Sequence, residues 1–320
     1  RVISDVSKVG MNKNDKILIT GSSGLVGHAL VKCLSENGFT NLWPLSSKDC
    51  NLIEKDKVQE LFNKIKPDYV FHIAARTLGL GGNSKYQADI LYQNVMMNTN
   101  VIESCRKESV KKIVAMGSGV VYPDLGAEEL FEDQIWLGAP HNSQAGYAHS
   151  KRLMLAHLEA TKEQYNIDYV FAVSGNIYGP HDLFNLDYGN VTPALIYKFM
   201  LAERDKVPVS TWGTGEAVRD FSHSSDIAKS LYVSMNNLSG PVNIGSGYRH
   251  KIKDIVEILS EIYQNKIEIN FDASKPDGQM ARHYNLDKLF AENFSPDFDL
   301  KSGVEKTHQW LLENLNKARF

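Results

Sequence analysis

The chain is short of cysteine, of long apolar runs and of positive charge, and each shortage removes a class of protein. Cys33, Cys50 and Cys105 are the three thiols in 320 residues, and no two of them form a CxxC pair. That count argues against a disulfide framework or a cysteine metal site and fits reduced thiols in the cytosol. No uninterrupted apolar stretch approaches the roughly 18 residues of a membrane span. The opening RVISDVSKVG has no hydrophobic signal core, and the ten residues before Met11 are expected to be a remnant of expression outside the fold. A net charge of −3 and a pI near 6.4 leave no electrostatic footprint for nucleic acid. Short basic runs such as Lys111-Lys112 are expected to be solvated faces. What remains is a cytoplasmic protein with neither metal nor nucleic acid nor membrane as partner.

What is present is an alternation of short apolar runs with helical patterns. Residues 16–20, 42–45, 69–73, 112–116 and 168–173 read as strands, and 25–36, 54–66 and 86–106 as helices between them. Strands separated by helices of this length predict an α/β fold, a doubly wound parallel sheet of the Rossmann kind. After about residue 175 the rhythm breaks into turn-rich segments, among them Gly179-Pro180-His181 and Trp212-Gly213-Thr214-Gly215. This predicts a nucleotide domain over 1–175 and a smaller α+β substrate lobe over 176–320, interleaved with late strands of the main sheet. The terminal helix is expected over 304–316.

Gly21-Ser22-Ser23-Gly24-Leu25-Val26-Gly27 follows the first strand and opens the first helix, the context in which a GxxGxxG turn cradles a dinucleotide. Gly21 permits the tight turn, Gly24 lets backbone N–H groups approach the pyrophosphate, and Gly27 lets helix and strand pack closely. The helix N-terminus adds partial positive charge. Ala74 and Ala75, after the third strand, are expected cofactor contacts at the same edge. An acid at the end of the second strand would hold a ribose 2′-hydroxyl and repel a 2′-phosphate. Ser46, Ser47 and Lys48 stand there instead, which favours NADPH; Asp49, just beyond, keeps NADH as the alternative.

Tyr147 and Lys151 are four residues apart, so one helix face presents both. An ammonium beside a phenol favours the phenolate and is expected to lower a pKa that is ordinarily about 10. Ser118 follows the strand 112–116, where its hydroxyl can orient a substrate carbonyl.

With the glycine turn, Ser118, Tyr147-x-x-x-Lys151, Asn176-Ile177-Tyr178-Gly179-Pro180 and Val218-Arg219-Asp220-Phe221, the chain resembles the extended short-chain dehydrogenase/reductases. Within them it looks most like the GDP-L-fucose synthases, through Pro140-His141-Asn142-Ser143, Gly179-Pro180-His181-Asp182 with Phe184, Trp212-Gly213-Thr214-Gly215 and Lys275-Pro276-Asp277-Gly278. The resemblance implies hydride delivery from NADPH to a sugar 4-keto carbon, protonation by Tyr147, and polarisation of the ketone by Ser118. It implies that Lys151 stabilises the phenolate and holds the nicotinamide ribose. It further implies a GDP-linked keto sugar as substrate, contacted by Val120, Asn176, Trp212, Arg219, Lys275 and Arg282, and pairing into a homodimer.

One departure bears on the reaction. Epimerising a carbon beside a ketone needs proton-transfer groups on opposite faces of the sugar. In the fucose synthases these are a cysteine two residues after the catalytic serine and the histidine of the GPHD segment. His181 is present, but Val120 stands at the cysteine's position, and an isopropyl group transfers no proton. The expectation is a 4-keto reductase of a GDP-4-keto-6-deoxy hexose or heptose without epimerase activity. His181 is then a substrate contact, a catalytic remnant or a structural residue. A bifunctional epimerase/reductase with another base, and a nonredox 4-epimerase, are the alternatives.

Overall fold

The computed structural model describes residues 10–123, 129–274 and 281–320. The expectation for the leader falls almost wholly on 1–9, and that for Lys275 on 275–280, both outside the described residues. The first half builds strands β1 (Ile17–Thr20), β2 (Leu42–Leu45), β3 (Tyr69–His72), β4 (Lys112–Met116) and β5 (Asp168–Ser174). Helices α1 (Leu25–Glu36), α2 (Lys55–Ile65), α3 (Gly79–Lys85), α4 (Gln87–Lys107) and α5 (Ala145–Tyr165) run between them. The second half adds β6 (Asn176–Tyr178), α6 (Val191–Asp205), β7 (Val209–Trp212), β8 (Val218–Arg219), β9 (Phe221–His223), α7 (Ser224–Asn237) and β10 (Gly240–Ile244). It closes with β11 (His250–Lys251), α8 (Ile252–Ile262), β12 (Ile269–Asp272), β13 (Ala281–Arg282), α9 (Asp287–Phe290) and α10 (Leu300–Glu313).

Among the described residues the main sheet has six parallel strands in the order β10-β5-β4-β3-β1-β2. Alternate side chains point to opposite faces of a strand, and both faces are covered. Leu18, Val70, Ile113 and Phe171 face a cluster built with Phe62 of α2, Val101 of α4 and Leu155 of α5. Ile17, Ile19, Phe71 and Val114 face Leu30 and Leu34 of α1 with Ile227 and Leu231 of α7. Each such side chain contributes about 1.5–3 kcal/mol by leaving water. A third cluster, off the sheet, gathers Phe184, Ile196, Phe199, Ile255, Leu259, Val304 and Leu311.

Strand order reverses between β1 and β3, since β2 lies on one side of β1 and β3 on the other. A doubly wound sheet opens a crevice at that switch point, beyond the carboxyl ends of the strands. Gly21 follows β1 and Ala74 lies just past β3, so both stand at this crevice.

Three expectations need correction. Lys112 is not solvated: it is 8 % exposed, and its ammonium reaches Asp168 Oδ2 at 3.3 Å and the carbonyls of Leu238 and Ser234. Parallel neighbours on both sides bury this strand, and only a paired cation tolerates that. The last helix begins at Leu300, four residues early, because Asp299 Oδ1 accepts from the Ser302 N–H at 2.8 Å and caps it. Helix α3 stands where the sequence predicts no element, since the three glycines of GLGGNSK disfavour a helix and tertiary contact with the Asn185–Gly189 loop holds it.

Candidate active site

The glycine turn has the shape of a phosphate cradle. Gly21 takes φ +72°, open to glycine at little cost, and a Cβ there would lie 2.7 Å from the Ala74 nitrogen. A Cβ on Gly27 would strike the Gly21 carbonyl, so the first turn of α1 packs directly on the loop. Gly24 caps α1 without a side-chain bond, while Ser22, Ser23 and Leu25 are at least partly open to solvent and Val26 is buried. These residues fit a dinucleotide: backbone atoms alone stand nearest to where side chains at Gly21 and Gly27 would go, and the N-terminus of α1 follows the turn.

The end of β2 decides what the ribose meets. The Ser46 hydroxyl donates to Asp49 Oδ2 at 2.6 Å and the Ser46 N–H to the same oxygen at 2.8 Å. These bonds, the side-chain one foremost, hold the Asp49 carboxyl below its ordinary range. Asp49 is thus turned back onto its own loop, and Ser47 and Lys48 are left exposed.

Ser118, Tyr147 and Lys151 come together at the same sheet edge. Ser118 ends the run from β4 and precedes a one-turn 3₁₀ helix, Gly119–Val121, so Val120 is half-buried beside it. Tyr147 and Lys151 lie on α5, 7 % and 1 % exposed. Tyr147 is hydrogen-bonded to Ser118. Lys151 Nζ donates to the Met116 carbonyl at 2.7 Å and stands 5.8 Å from the centre of the Tyr147 ring. The expected direction of the phenol shift is reversed. Burial raises Tyr147 to about 12, with the Ser118 bond opposing, and burial lowers Lys151 to about 7. Desolvation governs both groups. The phenol is therefore a protonated donor at neutral pH.

Several residues that shape this site went unread in the sequence. Arg152, beside Lys151, donates from Nε to the Val121 carbonyl at 2.8 Å and from Nη1 to the Gly138 carbonyl at 2.7 Å, clamping the serine turn onto α5. His72 ends β3 in full burial, its Nδ1 2.8 Å from Thr20 Oγ1 and its Nε2 2.9 Å from Asn98 Oδ1. Asn98 Oδ1 can only accept, so Nε2 of the neutral ring donates to it and Nδ1 accepts from the Thr20 hydroxyl, whose oxygen accepts from the Ala74 N–H at 3.3 Å. Burial and the Lys151 charge hold His72 at about 4, hence neutral. This chain ties the glycine turn to α4; its one signal in the sequence was a polar residue closing an apolar strand. Tyr284 packs its hydroxyl on Gly119, where any Cβ would collide.

The remaining expected contacts are more scattered. Asn176 opens β6 half-buried, and Arg219, in β8, donates to the Val218 carbonyl at 2.8 Å. Arg282 stands in β13, in parallel register with Arg219. Trp212 projects from β7, 67 % exposed. The His181 ring stacks on His28 of α1, centroids 3.7 Å apart and 2° from parallel. Burial and His28 push His181 down to about 4. Cys33 is pushed up to about 11 and Cys105 higher still by burial, so neither presents a thiolate. Among the described residues no cluster of three or more His, Cys, Asp or Glu is placed to hold a metal.

The model of the NAD dependent epimerase/dehydratase family matches residues 17–245. The chain belongs to that family. Its relatives include a GDP-L-fucose synthase of Dictyostelium discoideum, 34 % identical over 95 % of this chain and 97 % of the relative. The epimerase/dehydratase fold superposes on a Naegleria fowleri GDP-L-fucose synthetase bound to NADP, with TM-score 0.90 and 28 % identity, covering 98 % of this chain and 97 % of that one. It also superposes on a Campylobacter jejuni GDP-6-OMe-4-keto-L-xylo-heptose reductase, TM-score 0.89 and 29 % identity, covering 95 % and 99 %. In this family member no described helix is long and apolar enough to cross a membrane.

Proposed function

We propose that this enzyme is an NADPH-dependent reductase of the 4-keto group of a GDP-linked 4-keto-6-deoxy hexose or heptose, and that it does not epimerise the neighbouring carbons. The observation that carries the reading is the buried Ser118–Tyr147–Lys151 group, with Val120 in the serine turn where a second proton-transfer side chain would stand. When bound, the reduced nicotinamide supplies hydride to the keto carbon. Ser118 holds the ketone oxygen by a hydrogen bond, and Tyr147 gives that oxygen its proton. Lys151, in its ammonium form, then stabilises the phenolate. Gly21, Ser22, Ser23, Gly24, Leu25, Val26 and Gly27 hold the pyrophosphate, with Ala74 and Ala75 closing the crevice and Ser47 and Lys48 meeting the 2′-phosphate. Arg219 pairs with the sugar-nucleotide diphosphate through its planar fork, near Asn176. The residues up to about 175 serve mainly the cofactor and those beyond mainly the sugar nucleotide, with Ser118 and Tyr147 acting on the ketone from the first part. Exposed Leu91 and Tyr92 of α4 and Leu153 of α5 form the face on which a second copy pairs.

Solvent isotope separates this reading from its rivals. With NADPH in deuterated water, the product is expected to carry no deuterium at the carbons flanking the former ketone, after correction for exchange without enzyme. Deuterium there would overturn the non-epimerising reading. Turnover without net NADPH consumption would point to a nonredox epimerase. Cofactor choice has its own check: Lys48→Ala is expected to raise KM for NADPH about tenfold, the scale of one charge-assisted bond. KM for NADH should stay within about twofold.

A further inference from the structure

The segment after α10 reaches back to the site by a route that the reaction chemistry does not use. Arg319 Nη2 donates to the His181 carbonyl at 2.8 Å, and the Arg319 carbonyl accepts from the Phe184 N–H at 2.8 Å. Leu183 and Arg319 form a parallel β-bridge, and the Phe320 ring lies tilted against Tyr197 of α6, centroids 5.0 Å apart. From α10, Trp310 lies 4.5 Å from the His181 ring and 6.1 Å from Phe184. The far side of His181 stacks flat on His28, whose Nδ1 is 3.1 Å from the Gly24 carbonyl. A continuous line of contacts therefore runs from Arg319 through His181 and His28 to the glycine turn.

The loop at the centre of this line is held against its own preferences. His181 sits at φ +67°, a left-handed conformation that costs a non-glycine residue free energy. Asp182 is 4 % exposed, and its Oδ2 has no hydrogen-bond partner. A buried oxygen of that kind also favours opening. External restraint is needed, and the Arg319 contacts supply it.

We propose that Arg319 is a positioning residue for dinucleotide binding: by pinning the His181 loop it keeps the two-histidine stack seated on the glycine turn, so that the cradle is formed before the cofactor arrives. This rests on the reading of residues 21–27 as that cradle. A protein whose competent state is fractionally populated binds more weakly by that fraction. Loss of the guanidinium lowers the seated fraction, while the Ser118–Tyr147–Lys151 group, on other elements, is unmoved once the cofactor saturates.

The test uses the full chain and NADPH itself. Arg319→Ala is expected to raise the NADPH Kd, measured by calorimetric titration without sugar substrate, about tenfold. Hydrogen exchange at 181–184 should quicken, and kcat at saturating NADPH should stay within about twofold. Arg319→Lys should recover part of the affinity, because an ammonium can still donate to the His181 carbonyl. His28→Ala, at the other end of the line, should weaken binding similarly and add little to Arg319→Ala. An unchanged Kd in both single variants, with wild type binding NADPH normally, overturns the proposal and leaves the cofactor reading intact. Faster exchange without weaker binding overturns it too. A wild type that does not bind NADPH overturns the cofactor reading itself.

Discussion

Tyr147→Phe is expected to lower kcat by about 10²–10⁴, the range by which positioned general acids accelerate proton transfer. The phenol is 7 % exposed and its acidity is depressed by burial, so at neutral pH it holds its proton until oxyanion character develops on the ketone. Ser118, its hydrogen-bond partner, cannot take over: a serine hydroxyl is a poorer acid, and replacing Tyr147 deprives it of its own partner. The ring stays, so packing is kept and the stability loss is about 1 kcal/mol, the net worth of one hydrogen bond. Single-turnover oxidation of NADPH at saturating sugar nucleotide measures the step. A rate within tenfold of wild type would remove Tyr147 from the donor role.

The second large effect couples activity to stability. Lys151 is 1 % exposed, donates to the Met116 carbonyl, and its pKa is lowered to about 7 by burial. An unfolded chain holds the same proton with a pKa of about 10.4. Between these values the unfolded state binds more protons than the folded one, so this residue makes stability rise with pH across the window from about 7 to 10.4. Below pH 7 the penalty is fully present, of the order of a few kcal/mol. Lys151→Met keeps an unbranched side chain and removes the cation. The variant is expected to lose activity by about 10² or more while unfolding at higher urea than wild type at pH 6. Its advantage should shrink steadily as pH is raised to 9. Urea midpoints at three pH values read this directly, and an advantage independent of pH would show that the buried ammonium is not the source.

The two variants separate roles that sequence spacing joins. A helix face with Tyr147 and Lys151 four apart is legible without coordinates, and so are the glycine turn and the strand that aims Ser118. Helix α1 and β4 fall where apolar periodicity places them, because each is a local pattern with a strong boundary: a glycine turn or a buried run. The Asp299 cap, with Ser302 three residues on, is a local signal of the same kind. Helix α3 carried no such signal.

Residue order alone thus determined the layering of the sheet and the glycine turn at its crevice, and it proposes Ser118, Tyr147 and Lys151 as the reacting group, since these follow from short-range periodicity and from chemistry that few residue types can perform. Tertiary structure alone decided how those side chains are tuned. Whether a lysine lowers a tyrosine's pKa or both are governed by desolvation depends on how much water the fold removes. The burial of Lys112, the neutral His72 between Thr20 and Asn98 and the reach of Arg319 to His181 depend on which distant segments are brought together, whereas the return of Asp49 onto Ser46 is local. Those pairings span from three to 138 positions along the chain, and the longer of them leave no mark in local sequence.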